Sequence, residues 1–180
     1  MPRRSREEAE GAVHHAYARG NGKQRIYLND RDRVAYLRLL AHAVRKHGWR
    51  CLAYSQMENH VHLLIETPRP NLGVGMDSLQ GTYAQGFNRR HGRTGHLFQG
   101  PYGAVRVRSD AQLWMVLRYI AMNPVEAGLC ARPEQWRWSS FGRRDAWVDR
   151  ERLLEYLGAA GGDPYDRYDE LLEVKGGSPL

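Results

Sequence analysis

The centre of the chain, residues 57–66, reads MENHVHLLIE and is rich in aliphatic and β-branched residues. We predict a β-strand here, closed by Thr67 and the proline after it. Side chains on a strand alternate between two faces, so His60 and His62 share one face while Val61 points to the other. Two imidazoles on one face of a rigid strand can bind one metal ion. Strand histidines also point at solvent or bond to neighbours, and the pair alone leaves both alternatives open.

A second pattern begins at Ser109 and has the periodicity of an amphipathic helix. Ser109 followed by Gln112 fits a capping box. Pro124 is expected to end this helix, because a residue that precedes proline is disfavoured in the α conformation. Tyr119 and Asn123, four residues apart, lie together on the flank of the apolar stripe. A phenol and a carboxamide so placed suit a nucleophile and a metal ligand, although each is also common in a structural role.

Several further segments occur along the chain in a recognisable order. They are Tyr17–Asn21, Gly48–Arg50, Met57–His62, Tyr83–Gln85, Phe87–Gly92, Gly95–Gly100, Leu117–Ile120, Asn123–Val125, Ala127–Leu129 and Trp138–Ser140. In this order they resemble the IS200-like, single-tyrosine transposases of the HUH endonuclease class. The similarity is greatest to the transposases that are associated with repetitive extragenic palindromes. An isolated His-x-His motif is weak evidence, whereas this ordered set is highly specific.

The resemblance implies a catalytic function for both patterns. His60 and His62 would hold a divalent metal ion, Mg²⁺ or Mn²⁺, and Asn123 would complete its protein ligands. Tyr119 would attack a phosphodiester of single-stranded DNA, which forms a 5′-phosphotyrosine and releases a 3′-OH. That hydroxyl, or another, would later rejoin the strands. The implied substrate is a palindromic repeat that folds into a hairpin.

The chemistry of these side chains is consistent with that implication. A metal ion neutralises charge that develops on the phosphate in the transition state, and a covalent tyrosine ester retains the energy for rejoining. A free tyrosine has a pKa of about 10, so a proton acceptor is needed, and the metal or a bound water can supply it. By softness, two imidazoles and an amide oxygen suit Mn²⁺, Ni²⁺ or Zn²⁺ better than Mg²⁺.

The composition fits a globular protein with a polyanionic partner. The chain has 180 residues, of which 42% are hydrophobic, and a net charge of +7. Cys51 and Cys130 give no disulfide framework and are expected to be buried thiols. The charged N-terminus lacks the apolar segment of a signal peptide, and no apolar run is long enough to span a membrane. We therefore predict a cytoplasmic, nucleoid-associated protein.

The element order predicts an α+β, ferredoxin-like fold, β-α-β-β-α-β, with an antiparallel sheet and helices on one face. An additional C-terminal helix would carry Tyr119, and DNA would bind the open face or the groove at that tyrosine. We assign the transposase domain to residues 1–142 and a C-terminal extension to 143–180, with a short helix at Arg150–Leu157 and then a loose tail. The other elements are predicted as strands at Gly11–Arg19, Trp49–Met57 and Tyr102–Val107, and helices after Asn29 and from Leu72 to Phe87.

Basic, polar and aromatic side chains are expected to contact DNA. The polar set comprises the cluster Arg89, Arg90 and Arg93, the turn residues Arg19, Asn21, Lys23 and Arg25, and the single residues Gln99 and Arg106. Four aromatic residues would stack on unpaired bases: Tyr17, Tyr27, Phe98 and Tyr102. The alternative is a solvated basic face with the aromatic rings in the core.

Three positions depart from the family pattern. Glu58 stands where the family usually has proline before the Asn-His pair. Pro101 and Gly103 stand where the family usually carries an arginine and a lysine. Two phosphate contacts are therefore missing, and the mode or affinity of DNA binding is expected to differ. The catalytic set itself is complete.

These observations predict a metal-dependent, single-stranded DNA endonuclease and strand transferase. One alternative is a domesticated protein that binds DNA hairpins without cleaving them. Another is a metal-dependent phosphoesterase that acts on RNA or nucleotides and uses the same scaffold. The change Tyr119→Phe separates these alternatives, because a phosphoesterase does not need the phenol. The sequence leaves open whether the protein is a monomer or a homodimer.

Overall fold

The structure is a computed structural model that describes residues 9–158. Within these residues the strands form one antiparallel sheet in the order β2-β3-β1-β4. The predicted ferredoxin-like order β-α-β-β-α-β is confirmed, followed by the additional helix that carries the tyrosine. The strands are β1 Ala12–Arg19, β2 Arg50–Gln56, β3 His60–Thr67 and β4 Gly103–Val107, and the helices are α1 Asp30–His47, α2 Leu72–His91, α3 Asp110–Glu126 and α4 Arg150–Leu157.

Helices α1 and α2 pack against one face of the sheet and enclose the larger core. Every second residue of β3, from Val61 through Leu63 to Ile65, points into this core and is fully buried. Helix α2 packs closely against the ring of Trp49 because it has a glycine at position 75. A Cβ on Gly75 would lie only 2.1 Å from Cζ2 of Trp49.

The two helices of the ferredoxin-like order, α1 and α2, lie on one face as predicted, whereas α3 and α4 cover part of the opposite face. Leu64 of β3 packs there with Leu113 of α3 and Leu153 of α4. The apolar stripe of α3 requires a second apolar surface, and β2 widens that surface through a shift in register after Cys51. Because of this bulge, the adjacent residues Leu52 and Ala53 both join the second core.

Helix α3 continues through Pro124 to Glu126, so the prediction that Pro124 ends it is wrong. Pro124 is buried in the last turn, where its missing N–H costs a single intrahelical hydrogen bond. The helix ends at Glu126, and Gly128, two residues further on, has a left-handed φ of +69°. The N–H of Leu129 donates to the Pro124 carbonyl and that of Gly128 to the Val125 carbonyl, each at 2.9 Å. This pair of bonds is the Schellman ending that glycine favours.

The part of the C-terminal extension that the structure describes packs against the sheet. Val148 is buried and forms an isolated parallel bridge with Cys51. The N–H of Asp149 donates to the Cys51 carbonyl at 2.8 Å. The predicted helix at Arg150–Leu157 is confirmed with these bounds. The domain boundary after residue 142 stays a prediction, and the predicted tail after Gly158 lies outside the described residues.

The structure also bears on the two cysteines and on membrane spanning. Cys51 is buried, as expected, whereas Cys130 is only partly buried because it lies in the loop beyond α3. Along residues 9–158, none of the helices combines the length and the apolar character that crossing a membrane requires.

Candidate active site

The two sequence patterns meet in a cleft of about 550 Å³ between β1, β3 and α3. His60 and His62 lie on the face of β3 that is turned toward α3, and their ring centroids are 4.9 Å apart. Tyr119 and Asn123 project from α3, one turn apart, and the Tyr119 ring lies 5.1 Å from the His62 ring. The rest of the lining consists of Tyr17, Ala18, Arg19, Gln99, Gly100, Pro101 and Gly103.

Both ring nitrogens of His60 face amide oxygens. Its Nδ1 lies 2.7 Å from Oδ1 of Asn59, and its Nε2 lies 3.2 Å from Oδ1 of Asn123. The Asn123 amide is oriented by its Nδ2, which donates to the Tyr119 carbonyl at 3.4 Å. Burial lowers the pKa of His60, and the charge of Arg19 lowers it further against the opposing hydrogen bond to Asn123. A neutral imidazole has only one N–H. At one of these two contacts a nitrogen lone pair therefore faces an oxygen lone pair, and a bound cation would be attracted to both.

His62 has one paired and one unpaired ring nitrogen. Its Nδ1 lies 3.0 Å from Nε2 of His15, whereas its buried Nε2 has no hydrogen-bond partner within the described residues. Burial holds the pKa of His62 well below its usual value, and His15, His60 and Arg19 add to the effect. The ring is therefore neutral and offers the lone pair that a metal ion needs.

His15 belongs to this site, although sequence reasoning assigned it no function. It is almost fully buried, and burial lowers its pKa to about 4. A neutral His15 can accept the Nδ1–H of His62, which leaves the His62 Nε2 lone pair free to face the cleft. The available signal was the pair of histidines at 14 and 15 on a predicted strand. Which of them faces His62 depends on the pairing of β1 with β3, and periodicity does not reveal that pairing.

The donor set fits a divalent metal ion. It consists of Nε2 of His60, Nε2 of His62 and Oδ1 of Asn123, all on the lining of one cleft. No cluster of three or more His, Cys, Asp or Glu side chains suited to a metal occurs among residues 9–158. The candidate site therefore depends on Asn123 as its third protein ligand. Oxygen atoms of water and of a substrate phosphate would fill the remaining positions, as Mg²⁺ and Mn²⁺ commonly require.

The Tyr119 ring is held by edge contacts with two imidazoles. It meets the His62 ring at an interplanar angle of 78° and the His15 ring at 71°, with centroids 5.8 Å apart. Edge-to-face packing of this kind favours one orientation of the ring. The predicted nucleophile thus lies next to the predicted metal ligands and shares their cleft.

Comparison with known proteins identifies the family. The model of the IS200-like transposases matches residues 14–123, which is more than half of the chain. The chain belongs to the IS200-like transposases. The solved structure of a REP-associated tyrosine transposase bound to a REP hairpin has a TM-score of 0.67 and 17% sequence identity, and the match covers 90% of this chain and 93% of that chain.

A second solved structure, of a protein named as a transposase from Deinococcus radiodurans R1, has a TM-score of 0.47 and 18% identity. It covers 66% of this chain and 95% of that chain. None of the curated proteins matches the sequence. At these identities the structural likeness concerns the fold alone, and the fold agrees with the family model.

The cleft of this transposase includes two of the predicted DNA contacts, Arg19 and Gln99. The N–H of Gln99 donates to the Arg19 carbonyl at 2.8 Å, so the segment that begins at Gln99 is attached to the end of β1. Asn21 lines an adjoining pocket, and its N–H donates to the Leu97 carbonyl at 2.9 Å. DNA contact by these three residues stays a prediction.

Other predicted contacts already have protein partners. Arg90 forms a salt bridge of 3.0 Å with Asp32, whose side chain is completely buried. Exposed Arg25 pairs with Glu58 at 3.2 Å, and Arg93 bonds to the side chain of Gln24. A buried salt bridge is costly to break, so Arg90 has a structural function that sequence reasoning did not anticipate.

The remaining predicted contacts lie away from the cleft. Arg106 is paired in register with His14, the neighbour of His15, and alternation therefore puts it on the other face of the sheet. Lys23 has a φ of +60° in the turn after β1, and Arg89 is exposed near the end of α2. Binding of DNA by these residues also stays a prediction.

Of the four aromatic residues predicted to stack on bases, only Tyr17 faces the cleft. The rings of Tyr27 and Tyr102 are buried in the larger core, so their prediction as stacking platforms is wrong. Phe98 also packs in that core but lines an adjoining pocket, so its contact with a base stays a prediction. Tyr17 also explains a departure from the family pattern. A Cβ on Gly103 would lie 2.3 Å from Cζ of Tyr17, so the Tyr17 ring occupies the space that a lysine side chain would need to enter.

Proposed function

We propose that this transposase cleaves and rejoins single-stranded DNA through a covalent bond to Tyr119, with a divalent metal ion as cofactor. The observation that carries the proposal is the convergence of Tyr119, Asn123 and the two β3 histidines in one cleft. Membership of the IS200-like transposases supports DNA cleavage in general. The unpaired, buried Nε2 of His62 supports a ligand at that position.

In this proposal, different side chains bind the metal ion, supply positive charge to the phosphate and orient His62. His60, His62 and Asn123 would hold Mg²⁺ or Mn²⁺, which supplies Lewis-acid stabilisation of the negative charge on the phosphate. Arg19 lines the same cleft and adds a positive charge beside the phosphate. His15 keeps His62 in the tautomer that offers Nε2 to the ion.

The cleavage step is a phosphoryl transfer from the 3′ oxygen of the DNA to the phenol oxygen of Tyr119. Tyr119 Oη attacks the phosphorus, the Oη–P bond forms, and the bond from phosphorus to the 3′ oxygen breaks. The phenol loses a proton and the leaving oxygen gains one, so the products are a 5′-phosphotyrosine and a free 3′-OH. The reverse attack by a 3′-OH releases the tyrosine and rejoins the strand, with no external energy source.

The proposed substrate is a single strand with a hairpin or palindromic repeat. The similar structure with a TM-score of 0.67 is a tyrosine transposase bound to such a hairpin, which supports this choice. The net charge of +7 is also suited to a nucleic acid. The structure describes one protein chain, and both a monomer and a homodimer remain compatible with the proposal.

The decisive experiment uses a hairpin oligonucleotide that is labelled at its 3′ end. Because Tyr119 would stay on the 5′ phosphate of the downstream fragment, this label should migrate with the protein on a denaturing gel. We expect the adduct with Mn²⁺ or Mg²⁺, and no adduct in excess chelator or with Tyr119→Phe. The matched control is Tyr156→Phe, a partly exposed tyrosine on α4 outside the cleft, which should form the adduct normally.

Three results would contradict the proposal. An adduct that persists in Tyr119→Phe would exclude this phenol as the nucleophile. Hairpin binding by the wild-type protein without any adduct, in either metal, would favour the alternative of a domesticated DNA-binding protein. Hydrolysis of RNA or nucleotides that survives Tyr119→Phe would favour the phosphoesterase.

A further inference from the structure

We propose that a second pocket, beside the cleft, binds one unpaired nucleobase of the DNA strand. The pocket has a volume of about 580 Å³ and lies between α2 and the segment that follows it, residues 95–101. The identity of the ligand as DNA rests on the proposed function. The pocket itself is made of residues that the cleavage step does not use, apart from the shared rim described below.

One wall of the pocket is a single edge of α2. The residues that line it are spaced by three or four positions, so they form one stripe along the helix. At the middle of the stripe a Cβ on Gly81 would have no atom within 4 Å, so the wall is open there. The stripe consists of Asp77, Gln80, Gly81, Ala84, Gln85 and Asn88.

The opposite wall is bonded to α2 at one end and to the turn after β1 in its middle. Asn88 Nδ2 donates to the Gly95 carbonyl at 2.9 Å at one end of the segment. The Leu97 carbonyl accepts from the Asn21 N–H at 2.9 Å in the middle of it. These bonds keep the pocket open in the absence of a ligand, as expected for a preformed binding site.

The chemistry of the pocket centres on Gln80. Its side chain is buried, with 6% of the residue exposed, and its Nε2 has no hydrogen-bond partner among the described residues. A buried donor without an acceptor is unfavourable and uncommon. A ligand with an uncharged acceptor, such as a ring nitrogen or carbonyl oxygen of a base, would pair with this group.

The charge of the pocket favours a base over a phosphate. Its lining includes several amides, the imidazole of His96 and the carboxylate of Asp77, and contains no arginine or lysine from the described part of the chain. A phosphate would therefore lack the arginine or lysine that commonly binds it and would meet the negative charge of Asp77. Leu97, Phe98 and Pro101 add apolar surface on which a flat ring can pack. Amide donors next to an apolar wall are what a nucleobase requires and what a phosphate does not.

The pocket adjoins the candidate active site. Gln99, Gly100 and Pro101 line both the cleft and the pocket, and they form the rim between them. A Cβ on Gly100 would have no atom within 4 Å, so the rim leaves space for the DNA backbone to pass over it. A strand whose phosphate lies beside Tyr119 can therefore place a nearby unpaired base against Gln80.

The test is a binding selection from hairpin oligonucleotides whose unpaired flanks are randomised, carried out in chelator so that cleavage plays no part. The wild-type protein should enrich one base at one flank position, and Gln80→Leu should lose the preference at that position alone. An abasic nucleotide there should weaken wild-type binding about tenfold. It should weaken the binding of Gln80→Leu less, because that variant loses only the packing of the base on the apolar wall. The matched control is Ser78→Ala, an exposed change on the same helix outside the lining.

Thermal denaturation separates a binding function from a structural one. Gln80→Leu should keep or raise the melting temperature, because it removes an unpaired buried amide. Gln80→Met serves as a second variant of similar volume. Identical flank preferences in the wild type and both variants, or a lower melting temperature with unchanged preferences, would overturn the proposal.

The same experiments distinguish this proposal from that of the cleavage activity. A Gln80-dependent base preference without any covalent adduct would refute cleavage and keep the pocket. An adduct at Tyr119 together with flank preferences that do not depend on Gln80 would refute the pocket and keep the cleavage.

Discussion

His62 is the residue on which most of the candidate active site depends. Its ring contacts Tyr119 on one side and bonds to His15 on the other. Its Nε2 stays buried and unpaired within the described residues. Most buried polar atoms of folded proteins have a partner, so a ligand that pairs with this nitrogen should stabilise the folded state.

We therefore predict that His62→Ala abolishes stabilisation of the protein by metal. Addition of Mn²⁺ to the wild-type protein should raise its melting temperature, because an ion that binds only the folded state adds about 2.7 kcal/mol at a hundredfold excess over Kd. His62→Ala should melt at the same temperature with and without Mn²⁺. The measurement is thermal denaturation without DNA, so it does not depend on cleavage.

The control for this prediction is His42→Ala, which removes an exposed imidazole of α1 and should retain the full effect of Mn²⁺. Equal stabilisation of the wild type and His62→Ala would show that the ion binds elsewhere. No effect of either metal on the wild-type protein would remove the support for a metal site in the absence of substrate.

Among the elements, the packing of α1 against α2 depends on one buried carboxylate. Asp32, in the first turn of α1, accepts from Arg90 at 3.0 Å and lies 2.9 Å from Nε2 of His91, both in the last turn of α2. The N–H of Leu28 donates to the same carboxylate at 2.9 Å. Burial raises the pKa of Asp32, but the hydrogen bonds from His91, Leu28 and Arg90 outweigh it and hold that pKa below its usual value of 3.8.

Asp32→Asn should lower the free energy of unfolding by about 2 kcal/mol at neutral pH, because the variant no longer makes hydrogen bonds to a charged group. The unfolded protein binds the proton more readily than the folded one. The contribution of Asp32 is therefore complete above pH 3.8 and disappears as the pH falls through the lower folded value. The difference between wild type and variant should shrink correspondingly in urea denaturation from neutral to acid pH.

Asp77→Asn, an exposed change on α2, is the control and should alter stability little at any of these pH values. A difference between the wild type and Asp32→Asn that stays constant down to acid pH would contradict the assigned protonation of Asp32. A variant as stable as the wild type at neutral pH would show that the two helices do not depend on this carboxylate.

The whole molecule carries a net charge of +7, and binding of DNA should respond to salt accordingly. We predict that changing Arg89 and Arg93 to Gln weakens hairpin binding. The slope of log K against log salt should become shallower by roughly 0.7 to 0.9 for each phosphate that the protein no longer neutralises. Arg90 is left unchanged, because its substitution would break the salt bridge with Asp32. The resulting loss of stability could not be separated from a loss of DNA binding.

The measurement is fluorescence anisotropy of a labelled hairpin in chelator at several salt concentrations. The control replaces Arg38 and Arg45 by Gln, both exposed on α1 and outside the predicted set of DNA contacts. This control should leave the slope unchanged. Equal slopes for the wild type and the Arg89 and Arg93 variant would show that DNA lies on another surface.

Local periodicity was sufficient to predict the main elements and part of the site. Alternation along residues 57–66 predicts that His60 and His62 share a face, and helical spacing predicts that Tyr119 lies beside Asn123. Both are features of neighbouring residues on one element, where the backbone geometry is regular. The end of α3 was missed for a similar reason, since Pro124 is a strong local signal and Gly128 determines the ending only through bonds to a helix already formed.

The sequence by itself therefore determined the ferredoxin-like order of elements and the residue types that can bind metal and attack phosphate. Only the tertiary structure decided which of these residues meet. The pairing of β1 with β3 brought His15 to His62, the second apolar face placed α3 over the histidines, and the buried Asp32 engaged Arg90. The physical reason is that alternation and helical spacing act within one element, whereas strand register and burial depend on contacts between residues far apart in the chain.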